Sequence, residues 1–156
     1  MKKGQVDIEF DNSIGPWLGK TAKIVAFHIH EELEKAGLDI TKEQMVILKK
    51  IYERDGLSQN ELAILTYRDK SSLTRLLSTM ERKDYIYRKR CEEDKRVNFV
   101  HLTTEGNLMW ERAKPVVQKV IQRMRSDLTE NEAEQLIQIL KKIQGSLANT
   151  EVSLVV

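Results

Sequence analysis

The chain has 156 residues, 40% of them hydrophobic, 32% charged and only 6% aromatic, with seven Gly and two Pro. That is one domain's worth of chain with enough apolar content for a core, and it points to helix rather than to collagen-like, propeller or low-complexity classes. The longest uninterrupted apolar run is four residues, as in Ile24-Val25-Ala26-Phe27. A membrane span needs about 20, so no membrane partner is expected, and the polar first twelve residues lack the apolar stretch of a secretory signal. One cysteine, Cys91, cannot close an internal disulfide, which points to a reducing, cytoplasmic setting.

The net charge of +2 says little about partners, but its distribution says more. Residues 1–66 carry nine Lys/Arg against eleven Asp/Glu, residues 67–96 carry ten against six, and residues 97–156 carry seven of each. A basic excess gathered into one 30-residue stretch is the electrostatic footprint of nucleic-acid binding, although a solvated basic face would look the same by charge alone.

Residues 1–12 are polar and expected to be loose. Ile14, Trp17, Leu18, Ile24, Val25, Ile29 and Leu33 follow helical spacing, predicting an amphipathic helix over 15–36 closed by Gly37. Thr41-Lys42-Glu43-Gln44 is a capping box that opens a helix over 42–54, with Met45, Leu48, Ile51 and Tyr52 inward. Ser58-Gln59-Asn60-Glu61 is a second box, opening a short helix over 59–66 that buries Leu62, Ala63 and Leu65. Asp69 caps a helix over 70–83 with the stripe Leu73, Leu76, Leu77 and Met80. Two short helices about three residues apart have the outline of a helix-turn-helix.

The period then changes from 3.6 to 2. Residues 85–91 and 97–102 read as two strands of a hairpin, with a polar turn over Glu92 to Lys95. Thr103 caps a long helix over 104–126 that buries Leu108, Ala113, Val117, Val120, Ile121 and Met124 and is bent at Pro115. Thr129-Glu130-Asn131-Glu132 opens a last helix to about 148, with Ala133, Leu136, Ile137, Leu140, Ile143 and Leu147 inward, followed by the apolar tail Val152–Val156.

At 100° per residue, the side of helix 70–83 opposite its apolar stripe carries Ser71, Thr74, Arg75, Ser78, Thr79 and Arg82, with Lys70 and Ser72 at the N-terminal end. Ordinary solvated faces mix Glu with Lys, as residues 42–54 do. This one has no acid to repel phosphate, short residues that permit close approach, and arginines able to bond guanine bidentately. The hairpin adds Arg88, Lys89 and Arg90 on its first strand and Lys95 and Arg96 at its far end, placed to run along phosphates and into a minor groove. Asp94 is expected to order the turn by pairing with Arg96 or Arg88.

These pieces, in this order, resemble the multiple-antibiotic-resistance-regulator (MarR) family of winged-helix transcription factors. They are Gly37-Leu38 before Ile40–Gln44, Leu57–Ala63, Asp69–Leu76, Glu81-Arg82-Lys83, then Glu93-Asp94-Lys95-Arg96 and Leu102-Thr103-Thr104-Glu105-Gly106, the last two matching a D-x-R wing followed by L-T-x-x-G. The chain departs from the pattern at Thr66-Tyr67-Arg68 and at Asp84, where the family often has Gly.

The resemblance implies a mainly α fold with a small β-hairpin, a single domain over 1–156. A winged helix-turn-helix DNA-binding lobe over 42–102 would be flanked by dimerisation helices over 15–36 and 104–149. It implies an obligate homodimer on a pseudo-palindromic double-stranded operator, more in the manner of a repressor, relieved by a small molecule or by cysteine oxidation. The long apolar stripes of the three flanking helices, more than a small winged helix buries alone, agree with a dimer. Trp17, Phe27, Met45, Met109 and Trp110 are candidates to line an effector pocket where dimer helices meet the DNA-reading lobe, or else are plain core.

Enzyme signatures are thin: there is no Gly-rich phosphate loop, G-x-S-x-G or H-E-x-x-H. His28 and His30 point about 200° apart on a helix, and His28 with Glu32 lacks a third ligand, so no metal, cofactor or catalytic residue is expected. Cys91 sits among basic residues that favour its thiolate, but the family's sensing cysteines lie near the first helix, which leaves its redox role open. The competing readings are a winged helix used only for protein contacts and an enzyme working on the His28/Glu32 face.

Overall fold

The computed structural model describes residues 10–148. The looseness expected of the first residues and the packing expected of the Val152–Val156 tail therefore lie, for residues 1–9 and 149–156, outside the described residues. A 3-10 turn at Phe10–Asn12 precedes α1 (Ile14–Lys35). Then follow α2 (Lys42–Glu53), β1 (Leu57–Ser58), α3 (Gln59–Thr66), α4 (Lys70–Arg82), β2 (Ile86–Arg90), β3 (Asn98–Leu102), α5 (Thr104–Arg125) and α6 (Glu130–Ala148).

The helix starts are set by side-chain caps. Thr41 Oγ1 accepts from the Gln44 N–H while Gln44 Oε1 accepts from the Thr41 N–H, both at 3.2 Å. Ser58 with Glu61 and Thr129 with Glu132 close the same reciprocal box. Gly37 ends the first helical segment at φ +67, a left-handed conformation that glycine adopts without strain. Pro115 lies within α5, which runs on as helix to Arg125.

The expected hairpin is part of a three-stranded antiparallel sheet in the order β1-β3-β2. Ile86 pairs with Leu102 and Arg90 with Asn98, while Leu57 and Ser58 pair with Val100 and Phe99. A two-residue strand shows no alternation of its own, so β1 was not visible in the pattern.

One core unites the elements: Ile29 and Leu33 of α1, Ile47, Leu48 and Ile51 of α2, Leu62 of α3, Leu73, Leu77 and Met80 of α4, Ile86 and Val100 of the sheet, and Met109, Trp110 and Ala113 of α5. Several residues expected to be buried are exposed. Tyr52 lies half-covered at the edge of α2, its ring 5.7 Å from that of Trp110, and Leu65 lies on the outer side of α3, whose inner side is filled by Leu62. On α5 and α6, Leu108, Ile121, Met124, Leu136, Ile137 and Leu147 are also exposed, and Ala133 is the one buried residue of α6. These helices carry apolar sides that the chain's own core does not cover.

The end of α4 is gripped by the start of α5. The Thr103 N–H donates to the Tyr85 carbonyl at 3.2 Å, and the Thr103 hydroxyl donates to the Asp84 carbonyl. Gly106 lies against the same backbone: a Cβ there would sit 2.7 Å from the Tyr85 carbonyl carbon and closer still to its oxygen. Backbone cannot yield as a flexible side chain does. Gly106→Ala should therefore destabilise the protein by about 1–3 kcal/mol or more, read as a lower urea midpoint at unchanged slope.

Candidate nucleic-acid interface

Asp69 accepts a 2.8 Å bond from the Ser72 N–H and starts α4. Burial of Leu73, Leu77 and Met80 then fixes the rotation of the helix, so that Lys70, Ser71, Thr74, Arg75 and Arg82 face outward. Thr74 and Thr79 turn their hydroxyls back to the carbonyls of Lys70 and Arg75. Among the described residues Arg82 donates to the Thr79 hydroxyl at 3.2 Å, and neither Arg82 nor Arg75 forms an ion pair. Three expected members of this face are half-buried and engaged: Ser72 accepts from Arg68, Ser78 from Arg88 and Thr79 from Arg82.

Arg88 corrects the sequence reading. Its side chain turns to α4 instead of outward, with Nη2 and Nε donating to Glu81 Oε2 at 2.6 and 3.1 Å and its backbone N–H to Glu81 Oε1 at 3.0 Å. With Nε and Nη2 held by Glu81 and Ser78 and its charge paired with the Glu81 carboxylate, Arg88 clamps the hairpin to α4 instead of standing free on the hairpin's outer surface. Lys89, Arg90, Lys95 and Arg96 remain exposed. Asp94 Oδ1 accepts from the Arg96 N–H at 3.0 Å and lies 3.4 Å from Arg96 Nε, so it pairs within the turn and not with Arg88.

Between α4 and the hairpin turn lies a cavity of about 510 Å³, where Lys70 and Thr74 face Arg96 and Asn98 across Gln59 and Asn60 of α3. Gln59, Asn60 and Asn98 were not singled out from the sequence. The capping box at Ser58 marked where α3 begins, but not that its first turn opens onto the basic groove. Gln59 Nε2 reaches the Thr74 hydroxyl at 3.5 Å, and its buried Oε1 has no partner among the described residues.

The five candidate pocket residues are not brought together. Met45, Met109 and Trp110 are buried in the core, while Trp17 and Phe27 are each 58% exposed on α1. The reason is the rotation of α1, which packs inward through Val25, Ile29 and Leu33 and leaves Trp17 and Phe27 off that stripe. The cavity beside α1, about 320 Å³, is lined by Ile24, Val25, His28 and Glu32 and, from α5, Lys119, Val120, Arg123 and Met124. His28 lies 3.6 Å from Glu31, and Glu32 pairs with Lys35. Among the described residues no group of three His, Cys, Asp or Glu could hold a metal ion, and no helix is long and apolar enough to cross a membrane.

The guanidinium of Arg88, helped by its backbone N–H, holds the Glu81 carboxyl below the usual carboxylate range against the opposing effect of partial burial. A depressed folded pKa means that the clamp's contribution is complete above the unfolded value of about 4.3 and is lost as pH falls through the folded value. Glu81→Gln should therefore lower stability at neutral pH, and the gap between variant and wild type should shrink below about pH 4 in urea titrations.

Comparison with known proteins gives one result throughout. The family model described as the MarR family matches residues 40–97. The HTH-type transcriptional regulator BilQ of Clostridium symbiosum is 31% identical over 112 residues, 72% of this chain and 76% of that protein. The transcriptional regulator HosA of Escherichia coli O157:H7 is 29% identical over 108 residues, 69% of this chain and 80% of that one. Among solved structures, S. aureus MepR in complex with DNA superposes with a TM-score of 0.79 at 31% identity, covering 86% of this chain and 98% of that chain. The arrangement of α3, α4 and the basic hairpin, together with these similarities, places the chain in the MarR family of winged helix-turn-helix proteins.

Proposed function

We propose that this DNA-binding transcriptional regulator works as a homodimeric repressor, with α4 reading a DNA major groove and the β2–β3 hairpin following the adjacent backbone and minor groove. The observation that carries the reading is the groove in which Lys70 and Thr74 of α4 face Arg96 of the hairpin, beside an outward face holding Arg75 and Arg82. Arg75, at mid-helix and flanked by the small Thr74 and Ser78, is the base-reading residue of the proposal, with Ser71, Thr74, Thr79 and Arg82 around it. Lys70, Lys89, Arg90, Lys95 and Arg96 supply phosphate and minor-groove contacts, and Asp94 orders the turn that presents them.

The dimer is supported by surfaces that one chain leaves uncovered. Trp17, Ile24 and Phe27 of α1, Ile121 and Met124 of α5, and Leu136, Ile137 and Ile139 of α6 are exposed. An amphipathic helix such as α6 gains most of its stability from packing its apolar side, which a second copy supplies. Two lobes related by a two-fold axis then meet half-sites about one DNA turn, roughly 10 bp, apart. Repression relieved by a small molecule, and action in the cytoplasm where the operator is, belong to the same proposal. Membership of the family supports both, and no residue is assigned to the effector.

Selection from a random duplex pool by the purified protein tests the reading. A palindromic consensus is expected, whereas retention of no sequence at any salt would favour a winged helix that binds only protein. Light scattering should give twice the 18.1 kDa chain mass. Arg75→Ala should cost about 1–3 kcal/mol on the selected site and far less on random DNA. Arg90→Ala should flatten the log–log salt dependence by up to about 2 units, one contact in each half-site, while leaving the ranking of site variants intact.

A further inference from the structure

The recognition helix is tied to the dimerisation scaffold by one polar cluster that lies away from the groove. Lys83, the residue that ends α4, extends its ammonium to the loop leaving α1. There Nζ donates to Asp39 Oδ1 at 2.7 Å and to the Asp39 carbonyl at 3.0 Å, and lies 3.5 Å from Gln44 Oε1. The hydroxyl of the buried Tyr85 donates to the same Asp39 carbonyl at 2.8 Å. Gln44 is itself buried and caps α2, so the cluster joins the exits of α1 and α4 and the start of α2 at one point.

We propose that Lys83 is a positioning residue for operator binding, its contact with Asp39 setting the tilt of the recognition helix against α1 and so the distance between the two recognition helices of the dimer. The proposal rests on the DNA-binding reading above. An ammonium has three donors, and three acceptors surround this one, so Lys83 has none left for a phosphate. Its side chain is only 23% exposed, against 93% for Arg96. The opposite side of the segment is held by α5, through Thr103 and the close approach of Gly106. Residues 83–85 are thus gripped between the exit of α1 and the start of α5, the two helices through which the lobe joins the dimer. Releasing one grip lets the lobe swing about the other. A change of one base pair in half-site spacing corresponds to about 3.4 Å along the duplex, so the spacing preference of the bound site reads the separation of the two recognition helices.

The test uses full-length wild type, Lys83→Met and Lys83→Arg, each selecting from a random 40-bp duplex pool, on the order of four DNA turns. Wild type should enrich one half-site sequence at one spacing and lose about tenfold in affinity when that spacing is changed by one base pair, on the scale of a single mismatch. Lys83→Met should enrich the same half-site at more than one spacing, with the tenfold penalty mostly gone and the salt dependence unchanged, and Lys83→Arg should recover much of the discrimination. A Lys83→Met protein that keeps the single spacing overturns the proposal. So does a salt slope reduced by about 2 units, which would make Lys83 a phosphate contact. If Lys83→Met does not fold, Lys83→Gln, a polar side chain without the charge and one atom shorter, takes its place, and an unchanged spacing preference there overturns the proposal equally. Failure of wild type to enrich any sequence removes the regulator reading and this proposal with it.

Discussion

The backbone of Lys83-Asp84-Tyr85 is the constraint around which this fold is arranged. The chain leaves α4 through a left-handed residue, Asp84 at φ +59, and the Tyr85 N–H returns to the Met80 carbonyl at 3.0 Å, closing the helix in the manner of a Schellman turn. Two residues later the chain is already strand β2. The reversal is tight enough that the Tyr85 carbonyl becomes an outward acceptor, and Thr103 and Gly106 close on it. A side chain at position 106 would hold α5 off the lobe, and α5 then could not lay Met109, Trp110 and Ala113 into the core.

Charge is divided by the same geometry. Glu81 is the one carboxylate within α4, and left free it would oppose a polyanion beside the helix. It is instead consumed by Arg88, which leans across from β2. One acid and one base are thereby spent in joining the hairpin to the helix, and the outward surface keeps Arg75, Arg82, Arg90 and Arg96. The turn repeats the arrangement at smaller scale, where the Asp94 carboxylate accepts from the Arg96 N–H and orders the backbone there. In both places a carboxylate in the basic region shapes the interface, because its hydrogen bonds are internal and directed.

The three long helices serve two masters. α1 offers Ile29 and Leu33 to the lobe and Trp17, Ile24 and Phe27 to the outside, and α5 divides in the same way between Ala113 and Ile121. Such helices are apolar over too much of their circumference for one core. The excess reads as interface, since exposed apolar patches on this scale mark sites of association.

Much of the fold was legible because the forces that set it are local. Capping boxes act within four residues and helical period within a few turns, so α3 and α6 fall at their expected limits and the other helices within a residue or so. Outward Arg75 and Arg82 follow from the position of Leu73, Leu77 and Met80 on the same helix. Other features required the tertiary structure. β1 is two residues whose only reason to be a strand is Val100 and Phe99, more than forty positions away. Tyr67 stands at φ +51 in the turn between α3 and α4, a conformation its own type disfavours, held by the packing of the two helices it joins. Leu65 obeyed its helical spacing and is exposed all the same, because Leu62 and Ala63 fill the inner side of α3. Arg88 and Lys83 show the limit most plainly. By sequence they are cations in a basic stretch, like Arg90 and Lys89. Only the folding of β2 onto α4 brings Arg88 to Glu81, and only the return of α4 to the α1 exit brings Lys83 to Asp39. A charged side chain's role depends on which counter-charge the fold carries within reach, and that distance is not a property of the sequence around it.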